Sequence, residues 1–290
     1  MDYESSKNTV EDTAKEAMKF KSNTVRSGYY NDPFIKFFCK DFGHFEPHQR
    51  FGTFIRVFSI MDGLKEFHKL YGSNSVVIVL GCGYDTLFWR ATLEKMIFSK
   101  WIEVDKCEVI ENKKRIIQDS GLSGEISFIS YDFNNNTDLS EKIGIITDLS
   151  MPRLYIDEFS MVYVKDESII RLLKDISLRN NDCFISYSMV CDNDSFADFV
   201  FSGFKDLGIP LLSKTLTQTN EQTECTFHEI GFPNVASTRS TLYARKRIPY
   251  QERKRVSCLD YFEDPAEIEY ILKHNKIIFA GNQEFVKCFK

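Results

Sequence analysis

The chain contains 290 residues with a formal net charge of −5, and 43% of its residues are hydrophobic and 27% are charged. This composition is that of a folded globular protein, and it excludes a disordered chain, a collagen-like fibre and a coiled coil. The mild negative charge argues against extended contact with a nucleic-acid backbone, so we expect no nucleic-acid partner.

The first 72 residues contain few strand-like runs and several segments in which apolar side chains have helical spacing. That spacing predicts helices over residues 11–20, 33–38 and 49–70. In the third helix, aromatic and aliphatic side chains recur three and four positions apart, which is typical of a helix that packs against a core. We therefore expect residues 1–72 to form a helical N-terminal cap.

A different pattern begins at residue 73, where short apolar runs alternate with helical stretches. The runs predict seven strands, over residues 75–80, 100–105, 126–131, 153–156, 183–190, 235–240 and 276–280. Helices are predicted over residues 86–99, 107–119 and 167–178, with a helical insertion over about 192–230. Alternating strands and helices indicate a parallel sheet with helices on both faces. We expect residues 73–290 to form a Rossmann-like α/β core of about seven, mostly parallel strands.

The sequence carries no pattern typical of export, membrane insertion or metal binding. Its first residues are polar and acidic, unlike a signal or transit peptide, and no apolar run is long enough to span a membrane. Eight cysteines occur without a Cys-x-x-Cys motif or a neighbouring pair of histidines, which predicts free thiols and no metal site. We expect the protein to reside in the cytoplasm, with the nucleus as the open alternative.

A glycine-rich turn, GCGYDT at residues 81–86, follows the first predicted strand. Ligands of open α/β sheets bind at the carboxyl ends of the strands. Two glycines at this point let a ligand approach the backbone closely before the next helix begins. A dinucleotide fingerprint would carry a third glycine at position 86, where this chain has Thr86. That difference argues against NAD as the ligand.

Acidic side chains end the next three predicted strands. Asp105 lies 22 residues beyond Gly83, at the position from which an acid accepts both hydroxyls of a ribose. Asp132 and the adjacent Phe133 suit the amino group and ring face of an adenine. The fourth strand ends in two acids, Asp157 and Glu158. So many acids would repel a phosphate but suit S-adenosylmethionine, which combines ribose, adenine and a positive charge. The same acids could instead cap the helices that follow them.

Longer strings of residues resemble the leucine carboxyl methyltransferase family, which methylates the C-terminal leucine of protein phosphatase 2A catalytic subunits. The resemblance covers residues 21–280, approximately. Its most specific string is GCGYDTLFWR at residues 81–90. Further matches are SGYYNDP at 27–33, FIRV at 54–57, EVD at 103–105 and EFSMVY at 158–163.

The resemblance implies a set of residues that bind S-adenosylmethionine, with S-adenosylhomocysteine as the product. Lys21 and Arg56 would pair with the carboxylate of its methionine part, and Glu158 would hold its amino group. The remaining members contact the methionine backbone, the ribose and the adenine, and they are Gly81, Cys82, Gly83, Asp105, Asp132 and Phe133. The partner implied is the C-terminal tail of the phosphatase 2A catalytic subunit, and we expect the enzyme to act as a monomer.

Methylation of a terminal carboxylate needs no general base, because that group is ionised at neutral pH. The protein must instead position the reactants and exclude water, and the N-terminal cap is expected to serve as the lid that does so. Tyr163 and Tyr187 follow strands four and five and are candidates to hydrogen-bond the substrate carboxylate, although ordinary aromatic packing explains them equally well.

Three other functions stay open at this point. The first is an O-methyltransferase that acts on a small carboxylic acid, and the second is an NAD-dependent oxidoreductase. The third is a catalytically silent module that binds the phosphatase. The basic segment 245–255 holds six cations among eleven residues, and it predicts either a solvated face or a docking patch for an acidic partner.

Overall fold

The N-terminal part of the chain is helical in the computed structural model, which describes residues 9–135, 139–148 and 150–290. Its helices are α1 (Val10–Arg26), α2 (Ile35–Phe38) and α3 (Pro47–Tyr71). A capping box formed by Thr9 and Asp12 starts α1, and one formed by Glu46 and Gln49 starts α3. Residues 1–8 of the predicted cap lie outside the described residues.

A seven-stranded sheet follows, as the apolar runs predict. Its strands are β1 (Val76–Leu80), β2 (Lys100–Asp105), β3 (Ile126–Ser130), β4 (Arg153–Glu158), β5 (Cys183–Met189), β6 (Val235–Arg239) and β7 (Asn275–Gly281). They are ordered β3-β2-β1-β4-β5-β7-β6. The first five strands are parallel, and β7 runs antiparallel to both β5 and β6. The prediction of a mostly parallel Rossmann-like sheet is confirmed.

Helices connect the strands and cover both faces of the sheet. In chain order they are α4 (Leu87–Leu93), α5 (Cys107–Ser120), α6 (Leu139–Ile146), α7 (Asp166–Ser177), α8 (Ser195–Asp206), α9 (Lys214–Thr217), α10 (Asn220–Ile230), α11 (Ser240–Arg247), α12 (Tyr250–Val256), α13 (Pro265–Leu272) and α14 (Gln283–Lys287). The predicted helical insertion consists of α8, α9 and α10. The helix predicted over 86–99 was too long, because α4 ends at Leu93 and Lys95 takes a φ of 61° that a helix does not accommodate. Helices α11, α12 and α13 had no counterpart among the predicted elements.

The core places α3 directly against the middle of the sheet. Leu64 and Phe67 of α3 are fully buried in one cluster with Ile185 of β5 and Phe279 of β7. At Gly63 a Cβ atom would lie 2.4 Å from the Ile185 side chain, so a glycine is required for this close approach. The first half of α3 therefore reaches the edge of the sheet where the parallel strands end. Among the described residues, no helix is both long enough and apolar enough to cross a membrane.

Arginines of the basic segment 245–255 form ion pairs within the fold. Arg247 lies 2.8 Å from Asp62 and 3.1 Å from Glu66 on α3. Arg245 pairs with Glu269, and Arg255 pairs with Glu252. Much of the positive charge that the sequence concentrates here is therefore balanced by neighbouring carboxylates. The Arg247 and Arg245 pairs join α11 to α3 and α13, and Arg255 joins α12 to the carbonyl oxygens of Gly28 and Tyr29.

Candidate active site

A cleft lies at the sheet edge where β1, β2, β3 and β4 end, and α1 contributes one wall. Every residue that the resemblance assigns to the cofactor lines this cleft. They are Lys21, Arg56, Gly81, Cys82, Gly83, Asp105, Asp132, Phe133 and Glu158. The strand order reverses between β1 and β4, which makes this edge the switch point at which such sheets bind ligands. The structure thus brings together residues that are far apart in the sequence.

The turn after β1 depends on its two glycines. Gly81 and Gly83 have φ values of 65° and 49°, in the left-handed region that favours glycine. At Gly81 a Cβ atom would lie 2.4 Å from the Cβ of Ser160, so a larger residue does not fit. The Gly81 amide donates to the Val104 carbonyl oxygen at 2.8 Å, which holds the turn against β2. The turn therefore presents bare backbone to the cleft, where a ligand can approach it closely.

A buried ion pair supports this turn from the protein interior. Lys113 on α5 lies 2.6 Å from the Glu103 carboxylate on β2, and both side chains are almost fully buried. The Lys113 ammonium also donates to the Asp85 carbonyl oxygen at 2.8 Å. Buried charges persist in proteins when they are paired and hydrogen-bonded in this way. Glu103 therefore acts on the turn through Lys113.

Asp105 ends β2 and faces the same turn. One of its carboxylate oxygens accepts from the Gly83 amide and the other from the Lys106 amide, both at 2.7 Å. Burial raises the pKa of Asp105, and the two amide hydrogen bonds act in the opposite direction. Asp105 thus fixes the shape of the turn, and the ribose contact expected of it stays a prediction.

Four charged side chains, Lys21, Arg56, Asp85 and Glu158, form a charged cluster in the cleft. Lys21 Nζ lies 2.7 Å from Glu158 Oε1 and 3.1 Å from Asp85 Oδ2. Arg56 Nε lies 3.0 Å from the same Glu158 oxygen. Burial acts to raise the pKa of Asp85, but the positive charges of Lys21 and Arg90 outweigh it and hold that pKa below its usual range. The cluster therefore consists of two basic and two acidic side chains, and its positive charges keep Asp85 ionised.

Three polar atoms of the charged cluster are buried and make no hydrogen bond among the described residues. They are Arg56 Nε, Arg56 Nη2 and Glu158 Oε2. Arg56 Nε lies near Glu158 Oε1 as an ion pair only. Leaving a buried donor or acceptor unpaired costs about 1–3 kcal/mol. The Arg56 guanidinium and the second Glu158 oxygen are thus available to a ligand that carries both a carboxylate and an ammonium group.

The two adjacent acids that end β4 have different environments. Asp157 is fully buried, and its carboxylate accepts from the amides of Ser160 and Met161 and from the hydroxyls of Ser160 and Ser186. Its hydrogen-bonding capacity is used within the fold. Successive residues of a strand point to opposite faces, so Glu158 is directed away from these partners and lines the cleft. Of the two, Glu158 is placed to contact a ligand.

The segment that follows β3 supplies a carboxylate and an aromatic ring. Asp132 and Phe133 both line the cleft, and the rings of Tyr131 and Phe133 meet edge to face with their centroids 5.2 Å apart. The Asn134 amide donates to Asp132 Oδ1 at 2.9 Å, and the Asn134 side-chain oxygen accepts from the Lys165 amide. These contacts fix the two groups that are expected to receive an adenine.

The two tyrosines proposed to position a substrate differ in location. Tyr163 lies in a 3₁₀ turn (Met161–Tyr163) and lines the cleft. Tyr187 lies within β5 rather than after it, and it is not among the described residues that line the cleft. Burial raises the pKa of both phenols, to about 12 for Tyr187, against the opposing positive charge of Arg56. Both hydroxyls stay protonated at neutral pH, but Tyr163 is the better placed donor.

Asp85 is a cleft residue to which the sequence alone led us to assign no role. It lies within the string 81–90, so the sequence signal that could have identified it is an acid inside the glycine turn.

Thr86, at the position of a third glycine, donates through its hydroxyl to Asp32 at 2.5 Å. Arg90 lies 3.8 Å from Asp32 and 3.6 Å from Asp85. The strings 27–33 and 81–90 are therefore in contact, although no described residue of 27–33 lines the cleft. Ser160 also lines the cleft, and no local sequence pattern indicates this position.

Solved structures with the same architecture include a "putative methyltransferase" from Thermobifida fusca. It matches this chain with a TM-score of 0.56 and 13% sequence identity, and the match covers 94% of this chain and 97% of that one. Together with the strand order and the cleft, this match defines the Rossmann-like fold of the methyltransferases.

Sequence comparison then identifies the family. A family model described as leucine carboxyl methyltransferase matches residues 9–177. The chain is 25% identical to leucine carboxyl methyltransferase 1 of Schizosaccharomyces pombe, over 94% of each protein. It is 24% identical to "Probable leucine carboxyl methyltransferase 1" of Caenorhabditis briggsae, over 94% of this chain and 91% of that protein. The chain belongs to the leucine carboxyl methyltransferase family.

Proposed function

We propose that this protein transfers the methyl group of S-adenosylmethionine to the α-carboxylate of a C-terminal leucine, and that the leucine is that of the protein phosphatase 2A catalytic subunit. The product is a methyl ester. The observation that carries the proposal is the charged cluster, with its unpaired Arg56 and Glu158 atoms, at the switch point of a chain from this family.

The charge of the cleft favours S-adenosylmethionine over a dinucleotide. Lys21 and Arg56 balance Asp85 and Glu158, so a zwitterionic amino-acid group adds no net charge to the cluster. A pyrophosphate would bring two uncompensated negative charges toward these carboxylates and toward Asp105. We therefore assign Lys21 and Arg56 to the carboxylate of the methionine part and Glu158 to its ammonium group, with Asp105 contacting the ribose. Asp132 and Phe133 are assigned to the adenine.

We infer that α1 moves away from the sheet while the cofactor enters and returns once it is bound. The cleft has a volume of about 150 Å³, which is below the roughly 300–1,000 Å³ of small-molecule sites in proteins. Lys21 of α1 bridges Asp85 and Glu158, so outward movement of α1 breaks these ion pairs. When α1 returns, the ligand carboxylate pairs with Lys21 and the ligand ammonium group pairs with Glu158. This exchange supports the role of the N-terminal helices as a lid.

The reaction requires the protein to position the reactants and to exclude water, but not to transfer a proton. S-adenosylmethionine supplies, when bound, a methyl group activated by a sulfonium. The acceptor carboxylate, with a pKa of about 3.5, is already ionised at neutral pH, so no side chain has to remove a proton. Tyr163 donates its hydroxyl hydrogen to the acceptor carboxylate, and the nearby positive charge of Arg56 stabilises the same anion. Closure of α1 over the cleft excludes water.

The proposal is tested with labelled S-adenosylmethionine and a set of acceptors. A peptide ending in a free leucine carboxylate should accept the label, and the same peptide ending in leucine amide should not. N-acetyl-leucine tests the small-acid alternative, because it carries the same leucine without a peptide. Transfer to N-acetyl-leucine as efficient as to the peptide would overturn the assignment of a protein tail as the substrate.

A further inference from the structure

A second cavity lies between the first half of α3 and the helices α11, α12 and α13. Its volume is about 300 Å³, at the lower end of the range of small-molecule sites. Of the described residues that line either space, none lines both this cavity and the cleft. The cavity and the cleft are nevertheless neighbours, because Ile55 lines the cavity and Arg56, the next residue of α3, lines the cleft.

The walls of the cavity are mainly apolar. They are formed by aromatic and aliphatic side chains from four segments, among them Phe51, Ile55, Val256, Phe262, Ile268 and Leu272. Covering such side chains stabilises a complex by about 25 cal/mol for each Å² of apolar surface removed from water. The walls therefore favour an occupant with an aliphatic body.

The polar part of the lining carries one positive charge in excess. Arg245 lines the cavity but is paired with Glu269, which also lines it. Arg253 lines the cavity as well, and its Nε atom is buried without a hydrogen-bond partner among the described residues. A buried guanidinium nitrogen in this state favours an anionic acceptor, and the planar guanidinium matches a carboxylate. One excess charge suits a monoanion better than a phosphate monoester, which carries nearly two charges.

We propose that this cavity binds a medium-chain aliphatic carboxylate, with its tail against the apolar walls and its carboxylate on Arg253. The size of the tail follows from the volume. One water molecule, a single heavy atom, has a share of ~30 Å³ in the liquid, so 300 Å³ accommodates about ten non-hydrogen atoms. Octanoate has that size. This binding site goes beyond the proposed methyl transfer and does not depend on it.

The test is titration calorimetry of the full chain with octanoate, and with octanol as a ligand that has the same tail and no charge. Octanoate should bind at one site per chain. Arg253→Gln should raise the Kd of octanoate at least about tenfold, because a hydrogen bond to a charged group is lost. The same variant should leave octanol binding unchanged.

Lys254→Gln is the matched control, since it removes a neighbouring cation that is exposed and outside the cavity lining. It should not change octanoate binding. S-adenosylhomocysteine binding by each variant reports whether the fold and the cleft are intact. The proposal is overturned if octanoate shows no saturable binding to the unaltered protein. It is equally overturned if Arg253→Gln and Lys254→Gln change octanoate affinity by the same factor.

Discussion

Replacing Glu158 by Gln should weaken the binding of S-adenosylhomocysteine far more than the binding of adenosine. Glu158 Oε1 lies within 3.0 Å of both Lys21 Nζ and Arg56 Nε, and Oε2 is buried and has no hydrogen-bond partner among the described residues. A hydrogen bond to a charged group contributes about 1.5–3 kcal/mol. Loss of the contact with the ligand's ammonium group should therefore raise the Kd about 10- to 150-fold. Adenosine lacks the amino-acid part, so its Kd should stay the same.

Titration calorimetry measures both constants, and Glu94→Gln is the matched control. Glu94 pairs with Lys65 at 3.2 Å, but both side chains are at least 40% exposed, so little binding or folding energy depends on this pair. Urea unfolding of each variant separates lost affinity from lost stability, because breaking a buried ion pair also destabilises the fold. An equal loss of affinity for adenosine and S-adenosylhomocysteine would refute the assignment of Glu158 to the ammonium group.

Three further changes test other parts of the account. Gly81→Ala should lower the free energy of unfolding more than Gly121→Ala does, by about 1–3 kcal/mol in urea denaturation. The two glycines have φ of 65° and 66°, but an added Cβ meets Ser160 in the first case and nothing within 4 Å in the second; equal losses would contradict the close contact. Tyr163→Phe should lower kcat/KM for the leucine peptide about tenfold in the label-transfer assay, through loss of one hydrogen bond, with the Kd of S-adenosylhomocysteine unchanged. A parallel change in both quantities would remove Tyr163 from the acceptor site. Burial lowers the pKa of Lys276 to about 7, whereas the unfolded chain keeps that proton up to about pH 10.4. The free energy of unfolding should therefore rise between about pH 7 and 9.5, by up to ~1.4 kcal/mol per pH unit, and this rise should be absent from Lys276→Met. A rise of the same slope in both proteins would exclude Lys276 as its source.

The sheet was predictable because its strands are short apolar runs bounded by turn residues. The predicted strand 100–105 coincides with β2, and the other strands differ by a few residues at their ends. The three helices between β6 and β7 were missed for a physical reason. Segments such as STLYARKR of α11 are rich in charge and lack an apolar stripe, and their stability comes from contacts such as Arg247 with Asp62 of α3. Those contacts join positions that are distant in the sequence.

The location of the cleft was predictable, because parallel strands end on one edge of the sheet. How its side chains pair was not. The family resemblance implies that Lys21 and Arg56 face a ligand carboxylate, whereas the structure pairs both with Glu158 and pairs Lys21 with Asp85 as well. These contacts depend on how α1 packs over the turn. Tyr187 shows the same limit, because β5 continues to Met189 and leaves the Tyr187 side chain buried in the core rather than at the strand end.

The central claim is methyl transfer to a terminal leucine carboxylate, and intact-mass analysis of the phosphatase 2A catalytic subunit tests it most directly. The subunit is incubated with this protein and S-adenosylmethionine, beside a subunit that lacks the terminal leucine. The account predicts a gain of one methyl group that is labile to base and absent from the shortened subunit. Methylation of the shortened subunit, or no methylation of the complete one by protein that binds S-adenosylhomocysteine, would contradict it.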